Sequence, residues 1–165
     1  MKRLVTILLV CIAIFLSGCG IANETAGQNQ KQTKYLDKAG FQKEYRDATV
    51  HLELPPAIFF PDEANTGGAQ SFEEGCGVSF AQQYWIYAWQ VEWLEQRNRD
   101  QEREVAAINM LKNVIPECEF MREKIDEAGR RLYYEYIRKA ELGDPSGFQH
   151  EVSVNPMKLE RALDD

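Results

Sequence analysis

Residues 79–115 contain neither proline nor glycine, and a stretch of that length with no breaker defaults to helix. Its first half sets a demanding packing condition. At 100° per residue, Phe80, Tyr84, Tyr87, Val91 and Leu94 fall on one face while Trp85, Ile86, Trp89 and Trp93 fall on nearly the opposite one. Gln83 and Gln90 separate the two faces on one side, Glu92 and Glu95 on the other. A helix with two apolar faces must be sandwiched between neighbours or must offer one face to a partner.

Residues 95–104 then carry no apolar side chain, before the pattern resumes at Val105, Ile108, Leu111 and Ile115 and stops at Pro116. An unbroken helix over this span would be roughly 55 Å long, with Glu95 and Arg99 paired at i, i+4. If the helix breaks near residues 98–100, its second half turns back antiparallel, and Asn98 with Gln101 forms a capping box for the restart. The break is the arrangement expected, with the Glu and Arg alternation of 95–104 as a solvated face.

The other elements follow from simpler signals. Residues 117–142 form an amphipathic helix with Cys118, Met121, Ile125, Ala128, Leu132 and Tyr136 on one face, closed by Gly143-Asp144-Pro145. Leu36, Phe41 and Tyr45 mark a short helix over 35–46, interrupted in propensity by Gly40. Residues 48–54 alternate, with Val50, Leu52 and Leu54 on one side, which predicts a half-buried strand ended by Pro55-Pro56. Residues 57–60 are a second apolar patch, 62–77 a polar loop, and 149–154 a second short strand able to pair with 49–54; Asn155-Pro156 opens a last helix. The fold class expected is mainly α: a three-helix core of 79–97, 100–115 and 117–142 with one small two-stranded β element, all in a single domain of residues 35–165.

The first residues carry a different kind of information. Lys2 and Arg3 precede an apolar run from Leu4 to Leu16, broken only by Thr6. About 13 residues make roughly 20 Å of helix, short of the ~30 Å hydrocarbon core, so the run reads as a secretory signal rather than a permanent span. It ends in Leu16-Ser17-Gly18-Cys19, which resembles the lipobox of bacterial lipoproteins: an apolar residue, two small residues and a cysteine. The resemblance covers residues 1–19 alone. It implies cleavage of 1–18, a diacylglyceryl group on the Cys19 thiol and a further acyl chain such as palmitate on the new amino terminus. The chain would then be lipid-anchored on the cell membrane, facing outside the cytoplasm in the periplasm or at the cell surface, with 19–34 as lipidated cysteine and polar tether.

Loss of Lys2 and Arg3, with no acid, takes the formal net charge from −7 to −9. So acidic a domain excludes nucleic acid as a partner and leaves membrane attachment to the lipid. Of the cysteines, Cys11 leaves with the signal and Cys19 is the lipid site, so Cys76 and Cys118 are left as a disulfide pair in an oxidising compartment. The bridge depends on the helix break, which alone brings the two within the ~7 Å Cα separation a disulfide needs.

The chemistry offers several weighed readings. The Trp85, Trp89 and Trp93 stripe is either core, covered by residues 50–60, or a platform for sugar rings or an envelope protein, and these are the candidate binding residues. Cys76 ahead of a helix, with His150 and Asn155 later, follows loosely the residue order of papain-like thiol hydrolases, but no surrounding motif supports it and a structural disulfide is the simpler reading. His51 with Glu53 and His150 with Glu151 lack metal-ligand spacing. No catalytic residue, metal or cofactor is therefore assigned. The function expected is a membrane-anchored envelope lipoprotein acting as a non-catalytic binding or interaction module; the alternatives are a thiol hydrolase using Cys76 and His150, or a structural or exclusion protein of the envelope.

Overall fold

A computed structural model describes residues 33–155 and 157–162. The protein is mainly helical, as its periodicity predicts. Strand β1 (Tyr35–Asp37) leads into helix α1 (Lys38–Thr49), β2 is Ile58–Phe59 and β3 is Ser71–Glu73. Helix α2 (Cys76–Gln96) is followed by α3 (Gln101–Asn109), α4 (Glu127–Glu141), α5 (Ser146–Val154) and strand β4 (Glu160–Arg161). β1 pairs antiparallel with β3, and β2 with β4. The signal, Cys19 and the tether up to residue 32 lie outside the described residues.

α2 is the axis of the domain, and both of its apolar faces are covered. On one face α1 lies so close that a Cβ on Gly77 would sit 2.4 Å from the Phe41 carbonyl oxygen and 2.7 Å from the Tyr45 nitrogen. Glycine is therefore required by the approach of two backbones. The same contact caps α2: the Glu44 carboxylate, reaching over from α1, accepts hydrogen bonds from the amides of Gly75 at 2.9 Å and Gly77 at 3.1 Å. Gly75 itself has φ +90°, the left-handed turn that admits α2.

The long helix breaks where the apolar pattern lapses. Asn98 takes φ +61°, a conformation asparagine tolerates better than most residues, and Asp100 rather than Asn98 caps α3 by accepting from the amides of Glu102 and Arg103 at 3.1 Å. The polar stretch is not purely solvated. Glu92, only 2% exposed, receives both Nε and Nη2 of Arg103 at 2.7 and 2.9 Å, a bidentate pair that joins α2 to α3 across the break.

The helix expected over 117–142 is interrupted. Ile115–Glu117 is a tight 3₁₀ turn, Phe120–Lys124 a wide π turn, and Ile125 is extended. Asp126 then starts α4 afresh by accepting from the Gly129 amide at 2.7 Å. The restart rotates the buried face onto Tyr133, Tyr136, Ile137 and Ala140, and leaves Leu132 45% exposed.

The expected strand pair 49–54 with 149–154 does not form. α1 runs to Thr49, Val50 is 78% exposed, and residues 52–55 are extended without a strand partner. Their alternation reflects one-sided packing on a helix: Leu52 and Leu54 pack on the core, and the Glu53 carbonyl accepts from the indole nitrogens of α2. Residues 149–154 belong to α5, where the Asp144 side chain accepts from the Ser146 amide and Phe148 drives into the core. The last helix is likewise absent among the described residues, where 160–161 pair with β2 instead. Lys34, placed in the tether, donates its ammonium to Glu74 at 2.6 Å, and its carbonyl accepts from the Glu74 amide.

Candidate binding site

The tryptophan stripe is core. Trp85, Trp89 and Trp93 are all buried, Trp93 to 1% exposure with its ring edge-on to Phe148 at 5.4 Å. Trp85 and Trp89 donate their Nε1 hydrogens to the same acceptor, the Glu53 carbonyl, at 2.6 and 2.9 Å. The expected binding platform is thus covered by residues 52–55, which is the packing alternative the sequence held open. Both indole N–H groups are satisfied internally, as buried tryptophans require.

Cys76 and Cys118 are free thiols, part-buried, rather than the bridge the sequence suggested. They pack in different clusters, Cys76 beside the Phe41 and Ala81 group and Cys118 at the border of the tryptophan core. Burial pushes the Cys118 thiol above its ordinary pKa. Cys76 is also kept from His150. α5 meets α2 through Phe148 on Trp93, and Trp93 lies about 25 Å along the helix from Cys76, so the structure does not assemble a Cys–His pair. His51 is exposed in the turn after α1 and His150 on the surface of α5. Among the described residues no cluster of His, Cys, Asp or Glu has the arrangement of a metal site.

What the structure does assemble is a cavity beside the tryptophan core. It has a volume of about 200 Å³ and lies where α2, the π turn 120–124, α4 and α5 converge. Ile86 and Gln90 come from α2, Phe120 and Met121 from the turn, Leu132, Tyr133 and Tyr136 from α4, and Glu151 from α5. The turn is held open by Gln82, whose side-chain oxygen accepts from the Phe120 amide at 2.7 Å. α5 is set close by Gly147, where a Cβ would fall 2.5 Å from the Tyr136 ring. Tyr133 donates its hydroxyl to the Leu111 carbonyl at 2.6 Å, and burial raises its pKa far above the usual phenol value.

A larger hollow of about 480 Å³ lies on the other side of α2, lined by Pro61, Phe80, Tyr84, Met157 and Glu160 among others. Its central polar group is already committed. The Tyr84 hydroxyl donates to the Phe59 carbonyl and accepts from the Glu160 amide, both at 2.8 Å, and so fastens the end of the chain.

Sequence reasoning missed the cavity because its walls come from a break it did not foresee, at Ile125, and from α5, whose residues 149–154 it expected as a strand. The one available signal was Gln90, a polar residue within α2 flanked by buried neighbours. No family model, no curated protein and no solved structure matches the chain.

Proposed function

We propose that the chain is a lipid-anchored envelope protein whose helical domain is a non-catalytic binding module, with the cavity between α2, α4 and α5 as its binding site. The carrying observation is Leu16-Ser17-Gly18-Cys19 at the end of a short apolar run behind Lys2 and Arg3, a segment too short to span a bilayer and fitted to processing and acylation at Cys19. No helix among the described residues is long and apolar enough to cross a membrane, so in this reading the lipid alone makes the attachment. An acidic surface disfavours adhesion to anionic headgroups, and two or three acyl chains suffice without it. The domain is then held at the membrane by its tether while its cavity stays open to the outside of the cytoplasm.

The test is mass spectrometry of the full chain recovered from bacterial membranes. A mature amino terminus at Cys19 carrying diacylglyceryl is expected, with Cys19→Ala unlipidated and retained in its precursor form. A mature chain beginning elsewhere and bearing no lipid would sink the proposal.

A further inference from the structure

The cavity beside the tryptophan core contains a polar group that the fold leaves unserved. Gln90 is 3% exposed and lines the cavity, yet its amide has no hydrogen-bond partner among the described residues. Every wholly enclosed side-chain nitrogen and oxygen among those residues does have one, so the Gln90 amide is reached from the cavity. Left dry, such an amide would cost on the order of 1–3 kcal/mol, so water or a ligand in the cavity must serve it. An apolar residue of similar size would fill the position without that demand, and apart from Glu151 the rest of the wall is apolar or aromatic.

The remaining chemistry narrows the occupant. Around Gln90 the lining is Ile86, Phe120, Met121 and the rings of Tyr133 and Tyr136, which fits a ring-shaped apolar body. The volume of about 200 Å³ somewhat exceeds the roughly 150 Å³ of an apolar cavity that takes up benzene, enough for one ring and a short substituent. The Tyr133 hydroxyl is engaged by Leu111 and offers no hydrogen to a ligand. Glu151 is the one charged residue of the lining; it is part-exposed and has no ion-pair partner among the described residues. A carboxylate at the edge of an apolar cavity favours a cation and disfavours an anion.

We propose that this cavity binds a small monocyclic aromatic amine, its ring in the apolar wall, its polar end hydrogen-bonded to Gln90 and its positive charge set toward Glu151. This rests on the reading of the domain as a binding module and names the ligand class of that site. Phe120 and Met121 sit in the π turn that ends at extended Ile125 and brings both side chains to the cavity wall, and the thioether of Met121 is suited to an aromatic neighbour.

The experiment uses the full chain in phospholipid nanodiscs, with empty nanodiscs as the blank, and four probes sharing one ring: 2-phenylethylamine, 2-phenylethanol, ethylbenzene and phenylacetate. Calorimetry is expected to rank them in that order. Gln90→Leu should weaken the amine and the alcohol by about tenfold and leave ethylbenzene unchanged or tighter. Glu151→Gln, a part-exposed change that spares the fold, should weaken the amine alone, by several-fold. Circular dichroism of each variant establishes that it is folded. The proposal is overturned if ethylbenzene or phenylacetate binds as well as the amine, if Gln90→Leu leaves the amine unaffected, or if the folded wild-type chain binds none of the four. Probe binding by a chain that carries no lipid would overturn the anchor reading alone; a lipidated chain that binds no probe overturns the cavity inference alone.

Discussion

The two halves of α2 solve the same problem differently. Over its first turns α2 meets α1 at backbone distance, with Gly77 against Phe41 and Tyr45. Polar groups there are paired: Glu44 caps the helix, and Gln42, itself buried, exchanges two hydrogen bonds with the backbone of Ala64 at 2.7 and 2.9 Å. From Trp85 to Trp93 the neighbours are met through side chains, three indoles among them. Large rings between elements that turn sharply at Ile125 and Pro145 leave a gap, and it is in this half that Gln90 stays unpaired. Close backbone approach seals the α1–α2 contact itself, whereas the cavity beside Gln90 and the hollow beside Tyr84 both lie where side chains rather than backbones meet; of the two, the Gln90 cavity is the one whose polar group is left for a ligand.

Removing the largest ring tests the second half most severely. Trp93→Ala should destabilise the domain by about 3–5 kcal/mol, read as a lowered urea midpoint. A folded Trp93→Ala domain of unchanged midpoint would mean the rings are not what holds this half together. Next in size is the ion pair that ties α3 to it. Arg103→Met leaves Glu92 buried without its guanidinium and should cost about 3 kcal/mol. The double variant Glu92→Met with Arg103→Met should be distinctly less destabilised than Arg103→Met alone, because the unpaired charge is gone. Equal losses would show that Arg103 acts through its stem and not its charge.

The first half is tested by adding a single methyl. Gly77→Ala places a Cβ within 2.4 Å of a carbonyl oxygen that belongs to another helix, so α1 and α2 must move apart at a cost of about 1–3 kcal/mol. At Gly147 a Cβ would meet Cδ1, Cγ and Cβ of Tyr136 at 2.5, 2.7 and 2.9 Å, so α5 must also draw back, but from a side chain rather than from a second backbone, and Gly147→Ala should cost less. If the order is reversed, the contrast between a closed half and a looser one fails.

What could be read beforehand follows the same division. The run without proline or glycine, with its two apolar faces, and the lapse at 95–104 pointed to the mainly helical class and to the break, because both are properties of a helix taken alone. The capping residue was misplaced by two positions, since Asn98 and Asp100 are both good caps and only the approach of Arg103 to Glu92 selects between them. Strand-like alternation in 50–54 misled because an extended segment lying on a helix and a strand in a sheet bury the same side chains; the difference lies in whether Glu53 meets an amide or an indole. The tryptophan stripe could not be assigned to core or surface from its own helix, since the answer depended on which segment covers it. The cavity was least legible of all, as it is formed by elements that share no local pattern.

The smallest effect is one the two halves share, and it is read by pH. Tyr133 in the second half and Tyr45 in the first both bury a hydroxyl against a carbonyl oxygen, Leu111 at 2.6 Å and Pro61 at 2.9 Å, and burial raises both phenols above their ordinary value. A raised phenol pKa means that the folded state holds its proton while the unfolded chain releases it near pH 10. The contribution is therefore complete below about pH 10 and declines as pH rises from there toward the folded-state value. Tyr133→Phe should cost about 1 kcal/mol at neutral pH through the lost hydrogen bond, and should flatten the loss of stability above pH 10. Tyr45→Phe should do the same in the first half. Urea midpoints from pH 7 to 11 measure both. An alkaline slope unchanged by either substitution would mean that the phenols are hydrated in solution, and that the two halves are alike in being open rather than one closed and one not.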